Sequence, residues 1–456
     1  MIRSFARRHA SRPRLLRSGF SSGADDDSKG SPRTAKPRSV SFDRSGLLGS
    51  RSVREGRFFL DALKDVAKGR AADSGGITGP TEDERALEEL AKHKEPLTPL
   101  AADLRALIQM KGPISLHEFV SQVSNHFQHG YYQNTSDTSN NKIGDTTSNS
   151  DFVTAPEISQ LFGEMVALWC LQTWENMGRP SKVRLIELGP GKGTLTTDLL
   201  RTAQRFPAFH AAIDVFLVEL SDAMRKQQRA TLGCDDADIT LDKATKIFSC
   251  PSKHKDSGGK PIHWCRHLNQ VPSDDVTVPT LIVGQEFLDT FPVHQFVYTT
   301  KGWREKLVDV DNSADNKHYF RLVISPNATP ATMSLLREGR THISKASAAS
   351  GDASAARDKP LDSALLVEGD GVEISPLALA VVEDAAAMVK RTRGACLFID
   401  YGEALTQADS LRGFKRHGQV SALSEPGLVD VTADVGKRSA HADTGGVFVL
   451  FLLFIP

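Results

Sequence analysis

The chain has 456 residues, 39% hydrophobic and 25% charged, which is room for two or three average domains or one large elaborated one. Its 56 basic residues balance 56 acidic ones, which argues against bulk electrostatic binding to nucleic acid. No apolar run reaches the ~20 residues a membrane-spanning helix needs. The five cysteines (Cys170, Cys234, Cys250, Cys265, Cys396) show no CxxC and no paired spacing, so neither a zinc site nor a disulfide framework is expected, and a reducing compartment fits.

Six arginines (Arg3, Arg7, Arg8, Arg12, Arg14, Arg17) precede the first acid, Asp25, with serines between them and no secretory-type apolar core. Residues 1–24 therefore have the composition of a mitochondrial presequence. Residues 25–95, rich in Ser, Gly, Arg and Asp, are expected to be mostly disordered around one amphipathic patch, Arg57–Val66. A helical region follows over 96–182. Leu100, Leu104, Leu107 and Ile108 recur at helical spacing, Gly112-Pro113 stops that helix, and Ser115 with Glu118 has the spacing of a capping box opening a second. Residues 133–150 read as a polar insert. Ile158–Met177 reads as one helix, apolar on more than one side and hence well buried. His117, His126 and His129 stand 9 and 3 apart, and no metal site is expected of them.

From 183 to 435 strands and helices alternate. Strands over 183–188, 213–220, 263–268, 280–287 and 395–402, with helices over 194–206, 221–232 and 375–392, imply an α/β fold. The sheet is expected to be mainly parallel, Rossmann-like, with helices on both faces. HQFVYTT, WREKLVDVD and KHYFRLVIS read as an antiparallel insertion, and the Ala/Ser/Gly-rich stretch 338–360 as a low-complexity insert.

In such sheets ligands bind outside the carboxyl ends of the strands. Those ends carry Glu187 with Gly189, then Glu219, Gln285-Glu286 and Asp400-Tyr401. The stretch VRLIELGPGKGTL fails as a phosphate-binding Walker loop, because Gly193 follows Lys192 where Ser or Thr is needed. It fails as a dinucleotide fingerprint because Thr194 stands at the third glycine position of G-x-G-x-x-G. It fits E-x-G-x-G-x-G (Glu187, Gly189, Gly191, Gly193), the first motif of class I methyltransferases that use S-adenosyl-L-methionine (SAM). Glu219, 26 residues after Gly193, is placed to accept the ribose hydroxyls. Glu286 follows an apolar strand, where burial without a partner is costly, so a functional role is expected. Asp289 is either a helix-start acid or part of the site.

GPISLHEFV, GYY, DFVTAPEISQLFGE, ELGPGKGTL, VELS, QEFLDTFPVHQF, GWRE, DYG, LRGF and DVTADV occur in this order. Together they resemble the MidA-like family of mitochondrial protein arginine methyltransferases that act as complex I assembly factors, over roughly residues 96–435. The resemblance implies a class I methyltransferase fold, SAM as cofactor, and symmetric dimethylation of an arginine on the 49-kDa matrix-arm subunit of complex I, in the mitochondrial matrix. Glu187, Gly189, Gly191 and Gly193 would form the SAM loop, and Glu219 would hold the ribose. Gln285, Glu286 and Asp289 would be catalytic, with Glu286 holding the guanidinium. The family commonly has His or Asn where Gln285 stands. DFVTAPEIS would be a lid with Thr154 or Glu157 facing the site, or simply a Pro-initiated helix start. A homo-oligomer is left open. Residues 436–456 depart from the family pattern, show no strand–turn logic, and are expected to be an aberrant tail of a truncated gene model. The rival reading is a non-catalytic complex I assembly chaperone that keeps the methyltransferase fold.

Overall fold

Thr98 opens helix α1 (Pro99–Lys111) by accepting the Ala101 N–H at 3.0 Å, and Gly112 ends it with φ +87°. Strand β1 (Ile114–Ser115) leads into α2 (Leu116–Asn125), where Ser115 caps as its spacing predicts, accepting the Glu118 N–H at 3.0 Å. The computed structural model describes residues 94–133, 151–313, 316–336, 366–402, 408–435 and 449–454. The presequence, the predicted disorder up to residue 93 and the inserts 134–150 and 338–360 lie outside the described residues.

The single helix expected over 158–177 is two, α3 (Ala155–Ile158) and α4 (Gln160–Asn176). Ser159 separates them in an extended conformation, φ −154° and ψ 127°, from which its hydroxyl accepts the Leu161 N–H and caps α4. Nor is the segment buried all round. Val166, Ala167, Cys170 and Trp174 join the core, while Ile158, Leu161, Met165 and Leu168 are exposed. The apolar residues on several sides reflect one core face and one solvent face.

The alternating region then unfolds as predicted, with additions. It runs β2 (Val183–Leu188), α5 (Thr194–Ala203), α6 (Pro207–Ala212), β3 (Ile213–Val218), α7 (Asp222–Thr231), β4 (Thr240–Leu241), β5 (Phe248–Pro251), β6 (Pro261–Cys265) and β7 (Thr280–Gln285). Next come β8 (His294–Thr299), β9 (Gly302–Val310), β10 (Phe320–Ile324), α8 (Pro330–Leu335), β11 (Gly371–Ile374), α9 (Pro376–Thr392) and β12 (Ala395–Tyr401). The last are β13 (Arg412–Lys415), β14 (Gly418–Val420), β15 (Asp430–Thr432) and β16 (Val449–Phe454).

The central sheet has the order β16-β12-β7-β2-β3-β6-β5-β4. It is parallel from β16 to β6 and ends in an antiparallel meander of β6, β5 and β4. Side chains alternate between two cores: Leu185, Val215, Leu217, Val283 and Leu397 on the α4/α5 side, and Ile186, Phe216, Ile282 and Phe398 on the α9 side. The chain leaves β2 toward β3 and returns to β7 on its other edge. This reversal of strand order opens a crevice at the carboxyl ends of β2 and β7.

The predicted antiparallel insertion forms a second sheet, β1-β9-β8-β11, with β10 also on β9. Helices α1 and α2 pack there rather than on the parallel sheet. Leu100, Leu104, Leu116 and Phe119 share a core with Val308, Phe320, Val429 and Val431. Residues 449–454, within the tail expected to be aberrant, pair in parallel with β12 from Cys396↔Val449 to Tyr401↔Phe454. Six consecutive apolar residues show no alternation, so a strand–turn pattern could not reveal this strand.

β12 is entered through a close backbone approach. A Cβ added at Gly394 would lie 1.8 Å from the Thr280 carbonyl oxygen at the start of β7. Gly394→Ala must therefore spread the β7–β12 pair and is expected to cost at least ~2 kcal/mol. The urea midpoint of unfolding checks this, and an unchanged midpoint contradicts it.

Candidate active site

A cavity of about 630 Å³ occupies the crevice, lined by residues from both ends of the fold. Glu187, Gly189, Gly191, Glu219, Thr154, Gln285, Glu286 and Asp289, all singled out from the sequence, lie along it. Gly193 does not. It is the N-cap of α5, and a Cβ there would point at Leu232 and Gln228, in ordinary contact at 3.6–3.7 Å.

The two glycines that line the cavity are bare for different reasons. At Gly189 (φ +60°) a Cβ would meet the Phe287 ring at 2.6 Å, so this position is set by packing across the crevice. At Gly191 (φ +51°) a Cβ would meet nothing within 4 Å and would stand in open space. Gly191 is thus where the loop backbone is open to a ligand. Beneath the loop, the Glu187 carboxylate accepts the Thr196 hydroxyl of α5 and so ties β2 to the helix that follows. Burial lifts its pKa to about 7.

Glu219 follows β3 directly. Its carboxylate accepts the Ser221 N–H at 2.8 Å and the Gln228 amide at 3.2 Å, and burial raises its pKa. The segment expected to be a lid meets the start of α5: Glu157 accepts the Thr194 hydroxyl, while Thr154 is the N-cap of α3 without a side-chain capping bond.

The cavity wall also carries a group of acids. Glu286 stands in the left-handed region at φ +47°, rare for a side-chain-bearing residue, held by its N–H donating to Ile399 at 2.8 Å. Its Oε1 accepts the Gln285 amide and, at 3.5 Å, the Ala155 N–H at the start of α3. Asp289, in the single turn Leu288–Thr290, is 6% exposed, and its Oδ1 has no hydrogen-bond partner. Asp289 is thus both buried and on the cavity wall.

Two further carboxylates converge here. Asp400 accepts the Leu288 and Phe287 N–H groups at 2.8 and 3.2 Å, fixing the turn that carries Asp289. Asp430, on β15, accepts the Tyr132 phenol at 2.7 Å. Burial, then the charges of the neighbouring acids, raises Glu286 to about 7 and Asp289 well above the ordinary carboxylate range. Burial also lifts Asp430 to about 7 and raises Asp400. The cation facing the cluster, Arg412, is already ion-paired with Asp434. Tyr132, Arg412 and Asp430 carry no role in the sequence reading. Their signal lay in GYY, LRGF and DVTADV, motifs without a strand-end position to suggest chemistry.

A mainly parallel sheet, a glycine loop after its first strand, and an acid after the second define a class I SAM-dependent methyltransferase. The comparisons agree. Residues 165–438 match a family model described as S-adenosyl-L-methionine-dependent methyltransferase. The chain is 33% identical over 341 residues to mouse "Protein arginine methyltransferase NDUFAF7, mitochondrial", covering 74% of this chain and 68% of that one. It is 32% identical over 344 residues to the human protein of the same name (75% and 68%), and 32% over 352 residues to the fruit fly homolog (76% and 70%). A crystal structure of a Burkholderia thailandensis protein bound to S-adenosyl-homocysteine superposes with a TM-score of 0.53 at 25% identity, over 81% of this chain and 78% of that one.

The chain therefore belongs to the MidA-like family of methyltransferases. Its cofactor is SAM. The residues present fit that group: Gly191 leaves space where any side chain would intrude, and Glu219 lies along the same cavity.

Proposed function

We propose that the chain is a protein arginine N-methyltransferase of the mitochondrial matrix. It forms symmetric dimethylarginine on the 49-kDa matrix-arm subunit of complex I and so supports assembly of that complex. The observation that carries this reading is the cluster of Glu286, Asp289 and Asp430 on the cavity wall, with the buried Asp400 beside them. Four buried carboxylates repel one another and resist ionisation unless a cation enters. A guanidinium is always charged and offers a planar fork of donors to carboxylates.

When bound, SAM supplies an electrophilic methyl group to the acceptor nitrogen. Gly189 and Gly191 present backbone to it, Glu187 braces that loop through Thr196, Glu219 holds the ribose, and Thr154 closes the lid side. Glu286 orients the guanidinium with Gln285 fixing its carboxylate, so that one nitrogen lies in line for displacement. The nitrogen that gains the methyl sheds one proton. Glu286 or Asp289, whose pKa values are raised, accepts it. Phe287, Tyr132 and the lid keep water from the reacting atoms.

Quantitative mass spectrometry of methylarginine in matrix proteins, with and without this chain, tests the proposal. Loss of symmetric dimethylation at an arginine of the 49-kDa subunit is expected. Unchanged occupancy overturns it.

A further inference from the structure

Gln228 lies on α7 behind the cavity and is 0% exposed. The Trp264 indole N–H donates to its Oε1 at 3.1 Å. Indole has only a donor, so the amide oxygen must face Trp264 and the NH₂ group must face the other way. That group donates to the Gly191 carbonyl at 2.9 Å and to Glu219 Oε2 at 3.2 Å. Both of its protons are thus used, one on each of two elements that the fold brings together from different strands.

We infer that Gln228 is a positioning residue for SAM, an amide clamp that sets the glycine loop and the ribose-binding acid at a fixed separation, with Trp264 locking its orientation. The inference rests on Gly191 and Glu219 contacting the cofactor. Gln228 does not itself line the cavity. It acts through the two groups it holds.

The alternative, a buried amide serving only core stability, leaves the coincidence of its partners without a cause. Trp264 satisfies only the amide oxygen; the buried NH₂ group needs acceptors of its own, and the two it uses are the Gly191 carbonyl and the Glu219 carboxylate, both on residues that line the cavity. Preorganisation of this kind shows in ligand affinity, because a loop and an acid free to drift must be ordered again on binding.

SAM titrated calorimetrically into the full chain tests this. Gln228→Met keeps the volume and removes the clamp, and should weaken SAM binding ~10-fold or more, the loss typical of a hydrogen bond to a charged group. Trp264→Phe keeps the clamp residue but frees the amide to rotate, and should weaken binding less, yet measurably. The pH profile supplies a readout that a structural role would not move. Glu219 is also faced by the Ser221 and Leu220 N–H groups and by Arg225, which remain in the variant. With the Gln228 donor gone, the carboxylate protonates more readily, and SAM affinity should begin to fall at higher pH than in the parent chain.

Unchanged SAM affinity in both variants, or weakened affinity with an unmoved pH profile, overturns the clamp. Gly191→Val is the control for the underlying assignment. If it abolishes SAM binding while the Gln228 and Trp264 variants bind normally, the clamp fails and the site stands. If Gly191→Val binds SAM normally, the site assignment itself fails.

Discussion

Glu286→Gln is expected to lower kcat/KM for methyl transfer to arginine by ~10²–10³, the cost of deleting one preorganised charge partner. SAM affinity should stay within about threefold, since in the proposed function this side chain holds the acceptor rather than the cofactor. The substitution keeps shape and the bond from Ala155, but removes the charge that pairs with a guanidinium, and charge-assisted pairs are roughly twice as strong as neutral ones. The backbone supports a functional reading of this residue. Its φ of +47° is strained, and such strain persists where surrounding structure imposes it, here the Ile399 hydrogen bond and the turn held by Asp400. Single-turnover transfer of labelled methyl groups measures the effect. Normal complex I assembly in cells carrying only the Gln variant would instead favour the non-catalytic chaperone.

Asp289→Asn should make the protein more stable and less active. Asp289 is raised because burial and the Asp400, Glu286 and Asp430 charges disfavour its ionised form. An unfolded aspartate ionises near pH 4, so between there and the raised native value the native state holds a proton that the unfolded state has lost. Stability then falls as pH rises through this window. An amide removes that penalty. The variant's melting temperature should exceed the parent's by about 3 °C or more at pH 8, with the difference vanishing near pH 4. Thermal melts across pH check the sign, and a lower melting temperature at pH 8 would defeat the argument.

Activity should show the opposite trend. Glu286 and Asp430, both lifted to about 7, must be ionised to receive a guanidinium, so acceptor binding should weaken as pH falls through 7. Stability and binding therefore pull against each other in this cluster. Acids that cost the empty protein stability gain their partner only when the substrate enters, a trade seen where function requires destabilised groups.

Much of this was legible in the sequence for a physical reason. Helix caps, strand propensities and a glycine loop are local: Ser115 caps the helix it precedes, and β2 spans the predicted Val183–Leu188. Glu187, Gly191, Glu219 and Gln285 to Asp289 were found because strand ends in a parallel sheet share one rim. The break at Ser159 escaped because apolar periodicity runs through it on both sides.

Other features belong to the tertiary structure alone. Asp430 and Tyr132 join Asp289 from a small antiparallel sheet and an N-terminal turn, and no spacing rule connects those segments. Gln228 looks like any polar helix residue until the fold turns it inward onto Gly191 and Glu219. Gly193 matches the motif yet faces α7, because φ and packing, not the pattern, decide which way a glycine opens. Local interactions select the elements and their order. Which charges meet is decided only when long-range packing closes the crevice, because that is where desolvation first makes them act on one another.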